Sequence, residues 1–448
     1  MGSGDKIYLD IDYGDSYVQP LLIAALKARL PPELLAFVNE VQSATSPTAR
    51  CVQWRQYESI NFEHLLEHSD TRLANAYVIR KALIRKHYLS TTVSHWLTKH
   101  PDSVLKKHVK PSVEFEVDYA EFLDDALVDA FELRESWERN ESKDEAEKEW
   151  WILKPGMSER GQGIRLFSSE EELTAIFEEW DPPSDDEDDD DDDGRSPNQE
   201  GTTDGVAKLK LEDDEKDASN GVVTSQLRHF IAQPYIHPPL LLAWPHPSAG
   251  RKFHIRTYVL AIGALRVYVY RPMLALFAGQ PYTAPGSNDT DSINDELSAH
   301  LTNTCLQTSE REGSVHAFWS LPSHLPDLAG REWKDEVFTQ ICQATGEVFE
   351  AAARTMGIHF QPLPNAFEIF GLDFLVDAQG QSWLLEVNAF PDFAQTGEGL
   401  QGVIGGLFEG VVEKAVVPFF GIAREGGGGR VGGFEEMVEV LDIDLGRR

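Results

Sequence analysis

Three short segments carry side chains whose types and spacing can do chemistry. In the stretch KFHIR, polar residues fall at every second position. Side chains alternate across a strand, so Lys252, His254 and Arg256 share one face, while Phe253 and Ile255 take the other. Three potentially cationic groups about 7 Å apart along a strand repel unless an anion lies among them. A phosphate-rich ligand would resolve that repulsion. A solvated basic face is the competing explanation, and this segment alone leaves both open.

The second segment has the opposite sign. FGLDFLVDAQGQSWLLEVN reads as a hairpin whose turn centres on Ala378–Gly380. That turn sets Asp373 opposite Glu386, with Asn388 facing the same way, and Leu384 is expected on that face too. Two carboxylates at such range repel by about 1–4 kcal/mol. Two carboxylates and an amide suit Mg²⁺, which takes one or two carboxylates and completes its shell with water and nucleotide phosphates. A carboxyl pair sharing a proton is the alternative. The third segment, KPGMSERGQGI, is a glycine-rich turn whose amides can approach an anion, with Lys154 adding charge. It gains weight by lying upstream of the other two.

The elements that must position these groups follow from periodicity. KIYLDID alternates like a strand and QPLLIAALKARL has helical spacing, giving a small α/β unit over residues 1–70. A central lobe is expected over 71–180, including a charged helix across Glu121–Glu149. Residues 181–220 hold seventeen acidic and four basic residues with almost nothing apolar, which predicts disorder. A second lobe spans 221–424, with hairpins and a long helix from Trp333 to Met356. Residues 425–448 read as a glycine-rich linker and an acidic tail.

Composition excludes several functions. Among 448 residues, Asp and Glu number 75 against 40 Lys and Arg, and removing the acidic insert leaves the remainder acidic. Such a surface disfavours nucleic-acid backbones and anionic lipid. Cys51, Cys305 and Cys342 are far apart, arguing against a disulfide framework or zinc site and for a reducing compartment. The apolar run near 402–423 is interrupted by Glu409, Glu413 and Lys414, so no membrane span is expected. No signal peptide opens the chain, so the cytoplasm is the expected location. The opening Met-Gly-Ser-Gly reads as an appended scar, with a natural start further upstream and another domain there.

The ordered series RKHYL, ILKPGMSERGQGI, FIAQPYIHPPLLL, RKFHIRTYVL, VYVYR, HLTNTCLQ and FGLDFLVDAQGQSWLLEVNAFPDFAQ resembles the tubulin–tyrosine ligase family, from about Ala76 to Gln395. The resemblance implies an α+β ATP-grasp fold: two lobes gripping ATP, with a smaller N-terminal α/β domain. It also implies a ligase joining an amino acid to a protein carboxylate through an acyl phosphate, such as a tubulin tail. By that resemblance Lys86, Lys154 and Lys252 reach the ATP phosphates, and Gln233, Tyr235 and Ile236 line the adenine pocket. Arg256 steadies charge at the reacting carboxylate, His254 lies among the nucleotide-side residues, and Asp373, Glu386 and Asn388 hold Mg²⁺.

Departures from the family pattern are equally legible. His254 and Pro234 stand where an aspartate and a lysine are usual, and Leu276 stands where an arginine is expected to engage the acceptor. A leucine donates no charge-assisted hydrogen bond, so transition-state stabilisation is expected to fall unless Arg271 substitutes, and lost or redirected ligase chemistry stands beside the ligase as a second expectation. A fungal branch resembling this chain implies a second reading, a nucleotide-binding pseudo-ligase that contacts mRNA-decapping factors in P-bodies.

Overall fold

The computed structural model describes residues 6–40, 46, 48–156, 163–180, 228–287, 293–302, 314–422 and 435–446. The acidic insert at 181–220, most of the glycine-rich loop after Lys154, Asn303 of HLTN and linker residues 425–434 lie outside them.

The chain opens with a parallel sheet. Strands β1 (Ile7–Asp12), β2 (Leu35–Val38), β3 (Arg50–Arg55) and β4 (Arg72–Ala74) lie in the order β2-β1-β3-β4. The fourth strand therefore falls beyond position 70. A second, antiparallel sheet follows in the order β5-β8-β6-β7, from Val113–Glu116 (β5), Trp151–Pro155 (β6), Arg165–Phe167 (β7) and His229–Pro234 (β8). Phe115 and Phe230 of this sheet pack against Phe177 of the helix Glu170–Trp180, Phe230 also against Trp180, and Phe167 against Trp137 of the helix Phe131–Asn140. The chain does not form one charged helix across Glu121–Glu149. It breaks after the turn Leu123–Ala126, and the bend lets Leu127, Ala130 and Leu133 all reach that core.

The third sheet has seven strands. Its spine is β9 (Phe253–Ile262), flanked on one side by β10 (Arg266–Tyr270) and β11 (Leu274–Phe277) and on the other by β13 (Phe367–Val376). β12 (Val315–Ala317) extends from β11, and β14 (Ser382–Ala389) from β13. All ten residues of β9 are buried because both faces are covered. Phe253, Ile255, Val259 and Ala261 face a core shared with the helices Lys86–Lys99 and Trp333–Thr355. Tyr258, Leu260 and Ile262 face a second core with the helices Val18–Arg29 and Gln401–Val411. The tail is more than an acidic extension: Met437–Asp442 (β15) pairs antiparallel with β10, and Met437 is buried.

Candidate functional site

A cavity of about 490 Å³ opens between the small antiparallel sheet and the seven-stranded sheet, and all eleven residues singled out from the sequence line it. β6 contributes Lys154, whose Nζ donates to Gln233 Oε1 of β8 at 2.7 Å. Tyr235 and Ile236 follow directly after β8 on the same wall. Ile152, Ile164, Leu375 and Leu385 complete an apolar stretch beside them. An apolar stretch with a few polar groups beside it suits an aromatic base.

Across the cavity, alternation along β9 and the residue just before it aims Lys252, His254 and Arg256 inward. Lys252 Nζ donates to the Tyr235 hydroxyl at 2.9 Å and lies 4.2 Å from the centre of its ring. The same hydroxyl meets His300 Nδ1 at 2.7 Å. Burial, reinforced by the positive charge of Lys154, lowers Lys252 to about 7. Burial likewise lowers Lys154 to about 8, with Glu386 opposing and Lys86 adding to the shift. Burial, helped by Lys252 and His237, pushes His300 down to about 3, so its ring is neutral. Two buried lysines whose charge is disfavoured fit a polyanionic ligand, because an anion would restore the charged form.

β13 and β14 supply the acidic group. Asp373 pairs in register with Glu386, and Asn388 Nδ2 donates to both carboxylates, at 3.3 Å and 3.1 Å respectively. Leu384 does not share their face. A bulge between Asp373 and Phe374 in the pairing leaves Leu385 as the extra residue, so the alternation flips and Leu384 enters the helix-side core. Lys86, at the start of its helix, lies 3.3 Å from Glu386. Burial alone would raise the Glu386 carboxyl, but Lys86 and Lys154 hold it well below the usual carboxylate range. Two carboxylates and an amide, with Glu386 firmly ionised, are a hard oxygen set that fits Mg²⁺.

The cations are not all free for a ligand. Arg256 grips Asp373 with two hydrogen bonds, Nε to Oδ1 at 2.5 Å and Nη2 to Oδ2 at 3.1 Å. Its guanidinium thus offsets the like charge of the two carboxylates. Burial lowers the pKa of His254. Its Nδ1 meets Thr302 Oγ1 at 2.6 Å, and its Nε2 stands 3.6 Å from Asp373 Oδ1. Leu276 pairs directly opposite His254 on β11, is 1% exposed, and packs with Tyr258 and Leu274. Arg271 does not take its place: the guanidinium pairs with Asp335 at 3.0 Å and stacks over Trp319 and Phe338, away from the cavity.

Sequence reasoning missed Thr302, Phe390, Asp392 and Gln395, which also line the cavity. Phe390 has φ 49°, a left-handed conformation that turns the chain out of β14 toward Asp392. Nothing in the sequence marks this, because a residue before proline is expected to be extended. Such a conformation costs about 1–3 kcal/mol and clusters at binding sites.

Comparisons with known proteins bear on the family and the fold. The model of the tubulin-tyrosine ligase family matches residues 72–422. A probable tubulin–tyrosine ligase of Schizosaccharomyces pombe is 46% identical over 416 residues, covering 93% of this chain and 92% of that protein. The probable tubulin–tyrosine ligase PBY1 of Saccharomyces cerevisiae is 42% identical over 90% of this chain, which spans only 51% of that relative. Among solved structures, the C-terminal domain of K. lactis Pby1, described as an ATP-grasp enzyme interacting with the mRNA decapping enzyme Dcp2, superposes with a TM-score of 0.67. It is 35% identical, with 98% of this chain and 99% of that one covered. The fold is therefore α+β of the ATP-grasp type, and the chain belongs to the tubulin–tyrosine ligase family.

Proposed function

We propose that this protein is an ATP- and Mg²⁺-dependent carboxylate–amine ligase that adds an amino acid to a protein carboxylate, such as an acidic tubulin-like tail. The observation that carries this reading is the meeting, in one cavity, of the buried lysines and the Asp373–Glu386–Asn388 oxygen set. Gln233, Tyr235 and Ile236 would hold the base, and Lys86, Lys154 and Lys252 the phosphates. Asp373, Glu386 and Asn388 would hold Mg²⁺, which when bound neutralises phosphoryl charge. An acceptor carboxylate oxygen would attack the γ-phosphorus with ADP leaving. The incoming amine would then displace phosphate from the acyl carbon, with Arg256 steadying the charge. Purified protein should release ADP faster when an acidic acceptor peptide and an amino acid are both present. A screen over tubulin tails and other acidic peptides in which ADP release never exceeds background would overturn the reading.

One observation favours a second reading. Leu276, paired opposite His254, is buried in the core and offers no cation there, and Arg271 is engaged elsewhere. A cavity that binds nucleotide without transferring its γ-phosphoryl group would suit a cytoplasmic scaffold in P-bodies with decapping factors as partners, a partner class in line with the K. lactis Pby1 domain, which interacts with the decapping enzyme Dcp2. No helix among the described residues is long and apolar enough to cross a membrane. Pull-down from fungal extract that enriches decapping factors equally with and without nucleotide would support that reading, while a pull-down without them would count against it.

A further inference from the structure

Away from the cavity, the helix Phe62–Glu67 and the residue after it carry His64, Glu67 and His68, spaced i, i+3 and i+4. Residues at these spacings are neighbours on one helix face. One ring nitrogen of each histidine and one Glu67 oxygen all lie within 4.8 Å of one another. The two imidazoles meet edge to face with centroids 5.7 Å apart. His64 Nε2 is buried and has no hydrogen-bond partner among the described residues. Leaving such an atom unsatisfied costs about 1–3 kcal/mol. A bound ion is one of the ordinary ways a folded protein meets that cost.

Two imidazoles and a carboxylate are a poor match for Mg²⁺, which prefers oxygen alone. They match Zn²⁺, whose sites combine histidine and carboxylate and leave a fourth position for water. We propose that His64, Glu67 and His68 form a three-ligand site for a borderline divalent transition-metal ion, Zn²⁺ foremost. None of the three lines the nucleotide cavity. The position has a structural consequence. Asn365 Nδ2 donates to the backbone oxygens of Leu65 at 2.9 Å and Arg72 at 3.1 Å, tying this helix to the segment that leads into β13. A metal spanning the last turn would rigidify the helix that Asn365 ties to the segment leading into β13.

The test is a calorimetric titration of Zn²⁺ into the full chain with millimolar Mg²⁺ present, with Co²⁺ visible absorption as a second readout. One site per chain is expected, together with a rise in thermal midpoint on adding Zn²⁺. His68→Gln and Glu67→Gln, at half-buried and exposed positions, should each weaken binding more than about tenfold. His64→Gln combined with His68→Gln should abolish it, and circular dichroism checks that each variant is folded. If the double variant does not fold, the single variants decide. An isotherm, Co²⁺ spectrum and thermal shift unchanged in His68→Gln would overturn the proposal, as would no Zn²⁺ binding by the parent chain.

Discussion

At the scale of the residue, Asp373 is where the opposing demands of the cavity meet. It accepts two hydrogen bonds from Arg256 and one from Asn388, and it faces His254. Removing one partner of a buried pair leaves the other uncompensated. Asp373→Ala is therefore expected to destabilise the fold by about 3–5 kcal/mol in urea unfolding, far more than Glu386→Gln, whose side chain is partly exposed. The lysines give a pH signature. With Lys252 at about 7 and Lys154 at about 8, both below the ordinary 10.5, the folded chain holds fewer protons than the unfolded chain between those values. Stability of the ligand-free protein should therefore rise with pH from about 7 to 10.5. A bound polyphosphate would raise both values again, so ATP binding should take up protons at pH 8 and almost none at pH 6. Calorimetry in buffers of different ionisation enthalpy reads that uptake directly. Alternation alone made the shared faces of Lys252, His254 and Arg256, and of Glu386 and Asn388, legible in the sequence. The grip of Arg256 on Asp373 was not, because it depends on β9 and β13 pairing across 117 positions of chain.

At the scale of the element, the site rests on one long strand and one irregular hairpin. Gly371 of β13 lies where Pro391 and Arg256 converge: a Cβ there would come within 2.8 Å of Pro391 Cβ and 3.3 Å of Arg256 Cδ. Gly371→Ala should therefore cost about 1–3 kcal/mol and weaken nucleotide binding, because either Arg256 or the turn after β14 must move. Urea unfolding and an ATP titration on the same variant check both effects. The hairpin, its turn and the facing of Asp373 and Glu386 could be read from residue types. The bulge at Leu385 could not, since Leu384 and Leu385 are chemically identical and only the packing against the helix-side core decides which turns inward. The long helix at Trp333–Thr355 was plain from its spacing, whereas the Glu121–Glu149 run is highly charged, so its helical pattern hid a bend made by three small-core contacts.

At the scale of the whole molecule, three sheets meet so that the cavity is walled by the second and third, and β15 closes the far edge of the third. The succession of strand-rich and helix-rich runs was legible in the sequence. The docking of the tail was not, because six residues beyond a glycine-rich stretch carry no signal of which edge they join. Removing residues 435–448 would expose the surfaces beneath Met437, Val438, Val440 and Leu441. That deletion should cost about 2–4 kcal/mol of stability in urea. It should leave ATP affinity unchanged, since among the described residues none after Gln395 lines the cavity. The central claim, that this cavity binds ATP with Mg²⁺, is tested most directly by titrating ATP into the protein by calorimetry with and without Mg²⁺, beside Lys252→Ala and Glu386→Gln. The account predicts Mg²⁺-dependent binding by the parent chain, weakened in Lys252→Ala and stripped of its metal dependence in Glu386→Gln. A folded parent chain that binds no ATP, or binding that both variants leave untouched, would contradict it.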